Sequence, residues 1–344
     1  MKKLLAVFFA LPLAWAVKAQ AQDKTPLKLV DTIHLPGVHR KWDHAGVDLD
    51  GHRLFFTSEE DDPAVEVFDL RTNKHLHTIE GFKGPHNVLP FVGLKQIFVV
   101  DGEASEIKVF DYNSYELIKH IPLTIDADPA VYDAAAKQLF VVNGGREAHT
   151  PTCLISVVDV PGGKKLADIT LPTNRLESTA IENSSSRLFV NMTGVNTIGV
   201  LDRQKRTLIQ QWPVTAGQQN VPMQYDEATH RLFVVTRQPS KLVVVNTDTG
   251  KEVTSVDVAE QADDLAWDAA HRRLYVACGG GKTAQPAISV VEQKSADDYR
   301  LLANVPTVRG AKTGRLVPEL NRYYLGVPGA GDQEAQIQVY EIVP

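Results

Sequence analysis

Cysteine is scarce: the 344 residues contain two, Cys153 and Cys278. That excludes a disulfide framework and a thiolate-rich metal site, and without a C-x-x-C-H the chain has no covalent haem attachment. No G-x-S-x-G is present, so a strand-to-helix nucleophile elbow of the α/β-hydrolase kind is absent. "GGGKT" at 279–283 is not a phosphate loop. The first glycine of G-x-x-x-x-G-K-T falls on Val276, and a strand rather than a helix follows, so no nucleotide is expected. Positive charge is also in deficit, with 36 Lys and Arg against 42 Asp and Glu and a formal net charge of −6. Neutralising a phosphate backbone or an anionic membrane surface needs clustered cations, so neither nucleic acid nor a charged bilayer is an expected partner.

Only one apolar run stands out. Lys2 and Lys3 precede "LLAVFFALPLAWAV", which is broken by Pro12 and followed by "AQA" at 19–21. A positive start, a short apolar stretch and A-x-A read as an export signal over residues 1–21, with no membrane span afterwards. Removing Lys2, Lys3 and Lys18 takes the net charge of residues 22–344 to −9, and this part is expected to be a single periplasmic or secreted, monomeric domain.

Its organisation lies in a repeat. "RLFVV" at 231 has near-copies "RLFFT" at 53, "QIFVV" at 96, "QLFVV" at 138, "RLFVN" at 187, "RLYVA" at 273 and "RYYLG" at 322. Their second residues, Leu54, Ile97, Leu139, Leu188, Leu232, Leu274 and Tyr323, are spaced by 43, 42, 49, 44, 42 and 49. A period in the forties carried by short β-rich runs predicts an all-β, seven-bladed β-propeller. Downstream of each run comes an alternating strand ending in an acidic or amide residue, such as "VEVFDL" at 65 and "LVVVNT" at 242. That terminal side chain can hydrogen-bond its own turn. A fourth strand follows, but after "IQVYEIVP" the chain ends, while a matching strand, "LKLVDTIHLP" at 27–36, precedes the first run. The N-terminal strand is therefore expected to close the last blade, and the two cysteines, three repeats apart, to be small buried apolar residues.

The run "LFVVN" at 139–143, with its V-x-V-x-D and turn downstream, resembles the YncE-like or YVTN-repeat propellers exported by bacteria. The resemblance spans nearly all of residues 22–344 and implies a binding role. The dipeptide "WD" at 42–43 and 267–268 falls before the run instead of closing the third strand, which sets WD repeats aside.

In a propeller the first strand of each blade lines the central channel. Eleven residues before each anchor stand Asp43, His86, Asp128, Glu177, Val221, Asp263 and Lys312; one later stand His44, Asn87, Ser178, Asp264 and Thr313. Symmetry puts each set at one level. Such a ring reads either as a wet polar mouth or as a site. As a site, Asp128, Glu177 and Asp263 suit one divalent cation, Ca²⁺, Mg²⁺ or Mn²⁺, while Asp43, His44, His86, Asn87 and Lys312 suit a small polar ligand, with neutral imidazoles. Carboxylates this close raise one another's pKa unless a cation or Lys312 neutralises them. A resemblance to gluconolactonase-type propellers adds metal-assisted hydrolysis as an alternative, with Glu177, Asn220 and Asp263 as loose counterparts. A further alternative is a scaffold for another exported protein. The insertions at 144–153 and 279–286 bring Arg146, His149 and Lys282 toward one mouth, whereas His52, His230 and His271 sit at turns.

Overall fold

The computed structural model describes residues 25–60, 62–331 and 333–344, so the export signal expected over residues 1–21 lies outside the described residues. Seven four-stranded antiparallel sheets follow one another. Blade one runs outward from the axis as Lys41–Asp48, Arg53–Glu60, Ala64–Asp69 and Lys74–Ile79. The seventh is built from Thr313–Val317, Arg322–Val327 and Gln336–Ile342, and its outermost strand is Leu27–His34 from the other end of the chain. Leu27 pairs with Ile342 and His34 with Gln336, so the ring closes as the strand count requires. No described helix is long and apolar enough to cross a membrane.

Each anchor run is a second strand, and its period-2 side chains serve two neighbours at once. Leu232 and Val234 pack with Phe189, Ile198 and Val200 of blade four, while Phe233 and Val235 pack with Leu265, Leu274 and Val276 of blade six. Leu54 and Phe56 likewise face Tyr324 and Val339 of blade seven, and Phe55 faces Ile97 and Val99 of blade two. Both faces of every sheet are covered, which is why these runs are continuously apolar instead of alternating. Cys153 and Cys278 are free, buried thiols in such clusters, as expected, and burial pushes their pKa values up to about 11 and 12.

The arginine that opens several runs has a separate role, not foreseen from the repeat. Arg53 donates to the Tyr112 carbonyl at 2.7 Å, Arg187 to the Thr247 carbonyl at 2.6 Å, and Arg273 to the Val343 carbonyl. Each acceptor follows the third strand of the next blade, so the guanidinium straps consecutive blades. Asp69, Asp111, Asp202 and Asn246, which end third strands, accept two N–H groups of their own turns, as their residue type implies.

Register matters most at the inner strands. Pairing with the second strand breaks between Trp42 and Ala45, Pro85 and Asn87, Asn220 and Met223, and Ala262 and Asp264. In blades three, four and seven it starts only at Ala130, Thr179 and Thr313. In blades one, two, five and six the skipped stretch contains the ring position, and in blades three, four and seven the ring position lies one or two residues before the ladder. A bulge frees a side chain from the alternation of the strand and re-aims it, here toward the axis.

Because Phe233 is fully buried against another blade, Phe233→Ala is expected to cost about 3–5 kcal/mol. Ile209→Ala on an outer strand, where the side chain is half exposed, is expected to change stability by less than about 0.5 kcal/mol. Urea unfolding of both variants checks this.

Candidate functional site

The ring residues gather at one mouth of the channel, but not as a single cluster. The closest group is Asp43, His86 and Asp128, each offering one atom within 4.8 Å of the others. His86 Nδ1 lies 2.8 Å from Asp43 Oδ2, 3.9 Å from Asp128 Oδ1 and 3.7 Å from Glu59 Oε2. His44 Nε2 approaches Asp128 Oδ1 from the other side at 3.7 Å. Asp128 Oδ1 is buried and has no hydrogen-bond partner, although the side chain as a whole is 36% exposed, so its open side faces the channel. His86 owes its position partly to Gly102: a Cβ there would lie 2.7 Å from His86 Cδ2 and 2.5 Å from the Ala127 carbonyl oxygen.

Glu177 and Asp263 are not part of this group. Asp263 sits between Lys312, at 2.5 Å, and the Arg237 guanidinium. Glu177 is held by Arg175 at 2.6 Å. Two carboxylates of the expected cation set are thus neutralised by the protein's own cations, Lys312 among them. Asn220 is fully buried and donates to Asn191 Oδ1 and the Thr197 carbonyl, so it does not face the channel with them.

The electrostatics follow from this pairing. Burial works against the charged form of both imidazoles, yet the surrounding carboxylates win. His44, facing Asp43 and Asp128, rises to about 9, and His86, facing Asp128 and Asp43, rises to about 10. Among the protein's own charges both are therefore imidazolium near neutral pH, not the neutral donors that the residue type alone suggests. Burial would raise Asp43, but His44 and His86 hold it below the usual carboxylate range. Asp128 is pushed by burial to about 6 despite His86, and Glu177 by burial to about 7 despite Arg175.

Glu59 and Arg237 belong to the site but not to the inner strands. Each stands five residues after its anchor, where the second strand reaches the mouth, so counting forward as well as backward along the repeat would have found them. The insertions lie at the same mouth. Arg146 and Glu147 act on the Asp126 carboxyl, which burial raises to about 6. Lys282 lines a shallow hollow of about 620 Å³ with Arg237, Arg309 and Lys312. His149 sits in a turn with its N–H on the Arg146 carbonyl.

Below the ring the channel widens into a chamber of about 540 Å³. Asn87, Ser178 and Asp264 of the second level line it, together with His44, which joins the chamber to the mouth. Asp264 is committed to backbone: Oδ1 accepts the Leu265 N–H at 2.9 Å and Oδ2 the Gly314 N–H at 3.2 Å.

No family model matches this chain, and no curated protein matches it in sequence. Among solved structures, a chain of Kuenenia stuttgartiensis hydrazine synthase superposes with a TM-score of 0.72 at 16% identity, over 85% of this chain and 95% of that one. A chain of a mitotic checkpoint complex superposes with a TM-score of 0.74 at 13% identity, over 100% and 99%. At such identities the likeness shows the fold alone, here a seven-bladed propeller.

Because His86 is raised from 6.5, the stability it contributes is fully present below pH 6.5 and lost as the pH climbs through about 10. In His86→Gln the wild-type decline in melting temperature between pH 7 and 10 is expected to shrink, the part due to His44 remaining. Calorimetry across that range checks it; an unchanged slope would mean that His86 carries no extra proton.

Proposed function

We propose that this chain is an exported propeller of the YncE-like kind that binds one divalent cation at the channel mouth, with Asp43, His86 and Asp128 as protein ligands and a small polar molecule completing the site. One observation carries the reading: three donor atoms lie within 4.8 Å of one another, and one of them, Asp128 Oδ1, is buried without a partner. Leaving a carboxylate oxygen unsatisfied in a buried position costs free energy that a cation would recover. Two carboxylates with one imidazole suit Mn²⁺ better than Ca²⁺ or Mg²⁺, which favour all-oxygen sets. The half-exposed side of Asp128 leaves room for a ligand to reach the cation from the channel. The export part of the proposal rests on the N-terminal "LLAVFFALPLAWAV" and "AQA".

Hydrolysis is not included in this reading. Its loose counterparts already have partners within the protein: Glu177 and Asp263 are bound to Arg175, Lys312 and Arg237, and Asn220 is buried and bound to Asn191.

Titration calorimetry with Mn²⁺ tests the site. One equivalent is expected to bind. Asp43→Asn and Asp128→Asn should each weaken it at least about 100-fold, more than is typical for residues that only support a ligand. Glu177→Gln and Asp263→Asn should leave it within about threefold, because those carboxylates already have partners. The reverse dependence would restore Glu177 and Asp263 as ligands, and no binding of Mn²⁺ by the unaltered protein would end the cation reading.

A further inference from the structure

Arg315 stands out in the chamber below the mouth. It lies on the inner strand Thr313–Val317, its side chain is exposed to the cavity, and among the described residues it makes no ion pair and no side-chain hydrogen bond. Other channel-facing cations are matched: Lys312 and Arg237 by Asp263, Arg175 by Glu177, His86 by Asp43. Asp264 is the acid acting most strongly on Arg315, but both its oxygens are taken by the Leu265 and Gly314 N–H groups. Nearby protein lowers the Arg315 pKa, the direction expected of a guanidinium without a bonded acid. A guanidinium so placed favours a counter-ion, and its planar fork matches a carboxylate with two parallel hydrogen bonds.

The remaining walls show what kind of molecule would bring that carboxylate. Half-buried Tyr132 and Trp267 present ring surface to the chamber, and Leu89, Pro90 and Leu316 add aliphatic surface. Both rings are fixed from behind, Tyr132 edge-on to Phe91 at 4.8 Å between centroids and Trp267 against Phe233 at 5.2 Å. Fixed aromatic walls, one unmatched guanidinium, His44, the backbone-bound Asp264 and a few neutral polar groups such as Gln224 and Ser178, in a cavity of about 540 Å³, have the size and make-up of a small-molecule pocket. A bare inorganic anion would use the charge and leave the rings unused.

We infer that the chamber is a second binding site, distinct from the cation trio, for a small organic monocarboxylate with an aromatic or branched apolar body, its carboxylate on Arg315 and its body against Trp267 and Tyr132. The site needs no metal, so it stands or falls independently of the cation reading.

The test uses chelator-treated full-length protein, with calorimetry and melting shifts for benzoate, 3-phenylpropionate and cyclohexanecarboxylate. Benzamide and 3-phenylpropionamide serve as neutral isosteres, and acetate and inorganic phosphate as anions without the body. At least one of the three acids is expected to bind one equivalent and raise the melting temperature. Its amide should bind at least tenfold more weakly. Arg315→Met should lose at least tenfold and Arg315→Lys less, both with unliganded far-UV spectra unchanged. If Arg315→Met does not fold, the acid–amide comparison on the unaltered protein reads the same charge requirement. The inference is overturned if none of the three acids binds, if the amides bind as well as the acids, if folded Arg315→Met binds equally, or if acetate or phosphate binds as tightly as the best acid.

Discussion

Everything in this molecule depends on the fact that a blade cannot bury its own apolar surface. A second strand such as Leu232–Val235 sends alternate side chains to opposite faces of the sheet, and each face finds its cover only on the neighbouring blade. The chain must therefore continue until the last blade meets the first. Leu27 completes the packing against Tyr340 and Ile342, and the N-terminal strand joins the ends of the chain in one sheet. The arginine straps reinforce the same contacts with charge-assisted hydrogen bonds to buried-edge carbonyls, and Arg53 also stacks 3.7 Å above the Tyr112 ring.

Ring closure has a consequence at the axis. Seven inner strands converge there, each with an unpaired edge toward the channel, and at the mouth the ladder slips or has yet to begin. Side chains released at that level have nowhere to point but inward. Asp43, His86 and Asp128 of consecutive blades thus come within reach of one another although they are far apart in sequence. Pro129 and Pro222 fit the same edge, where a missing N–H costs no ladder bond.

Enclosing so many charges is tolerable because most are matched locally. The asymmetry of the mouth follows from which partner each carboxylate has. Asp263 and Glu177 are satisfied by fixed guanidinium and ammonium groups, while Asp43 and Asp128 share two imidazoles whose protons can leave. A metal can displace an imidazole proton far more readily than it can displace an arginine, which is why the proposed cation site falls to blades one to three. Deeper in, Arg315 is the counterpart: a cation with no protein acceptor among the described residues, beside aromatic walls.

The sequence by itself determined the fold down to blade count, strand order and closure. The repeat of Leu54 through Tyr323 and the displaced strand at 27–36 are local patterns that only one architecture accommodates. It also determined the level of the site, because seven-fold repetition turns a position in the repeat into a height along the axis. It did not determine which ring members meet. Asp128, Glu177 and Asp263 are equivalent by counting, and only the tertiary structure decided that Arg175, Arg237 and Lys312 reach two of them and leave the third to His44 and His86. The partners Glu59 and Arg237 arrive on second strands and Arg175 on a loop, and Arg315 differs from its repeat mates Gly46, Leu89 and Gln224 only in side chain. Pairing between charges depends on ångström distances across blades, and a one-dimensional period carries heights but not those distances.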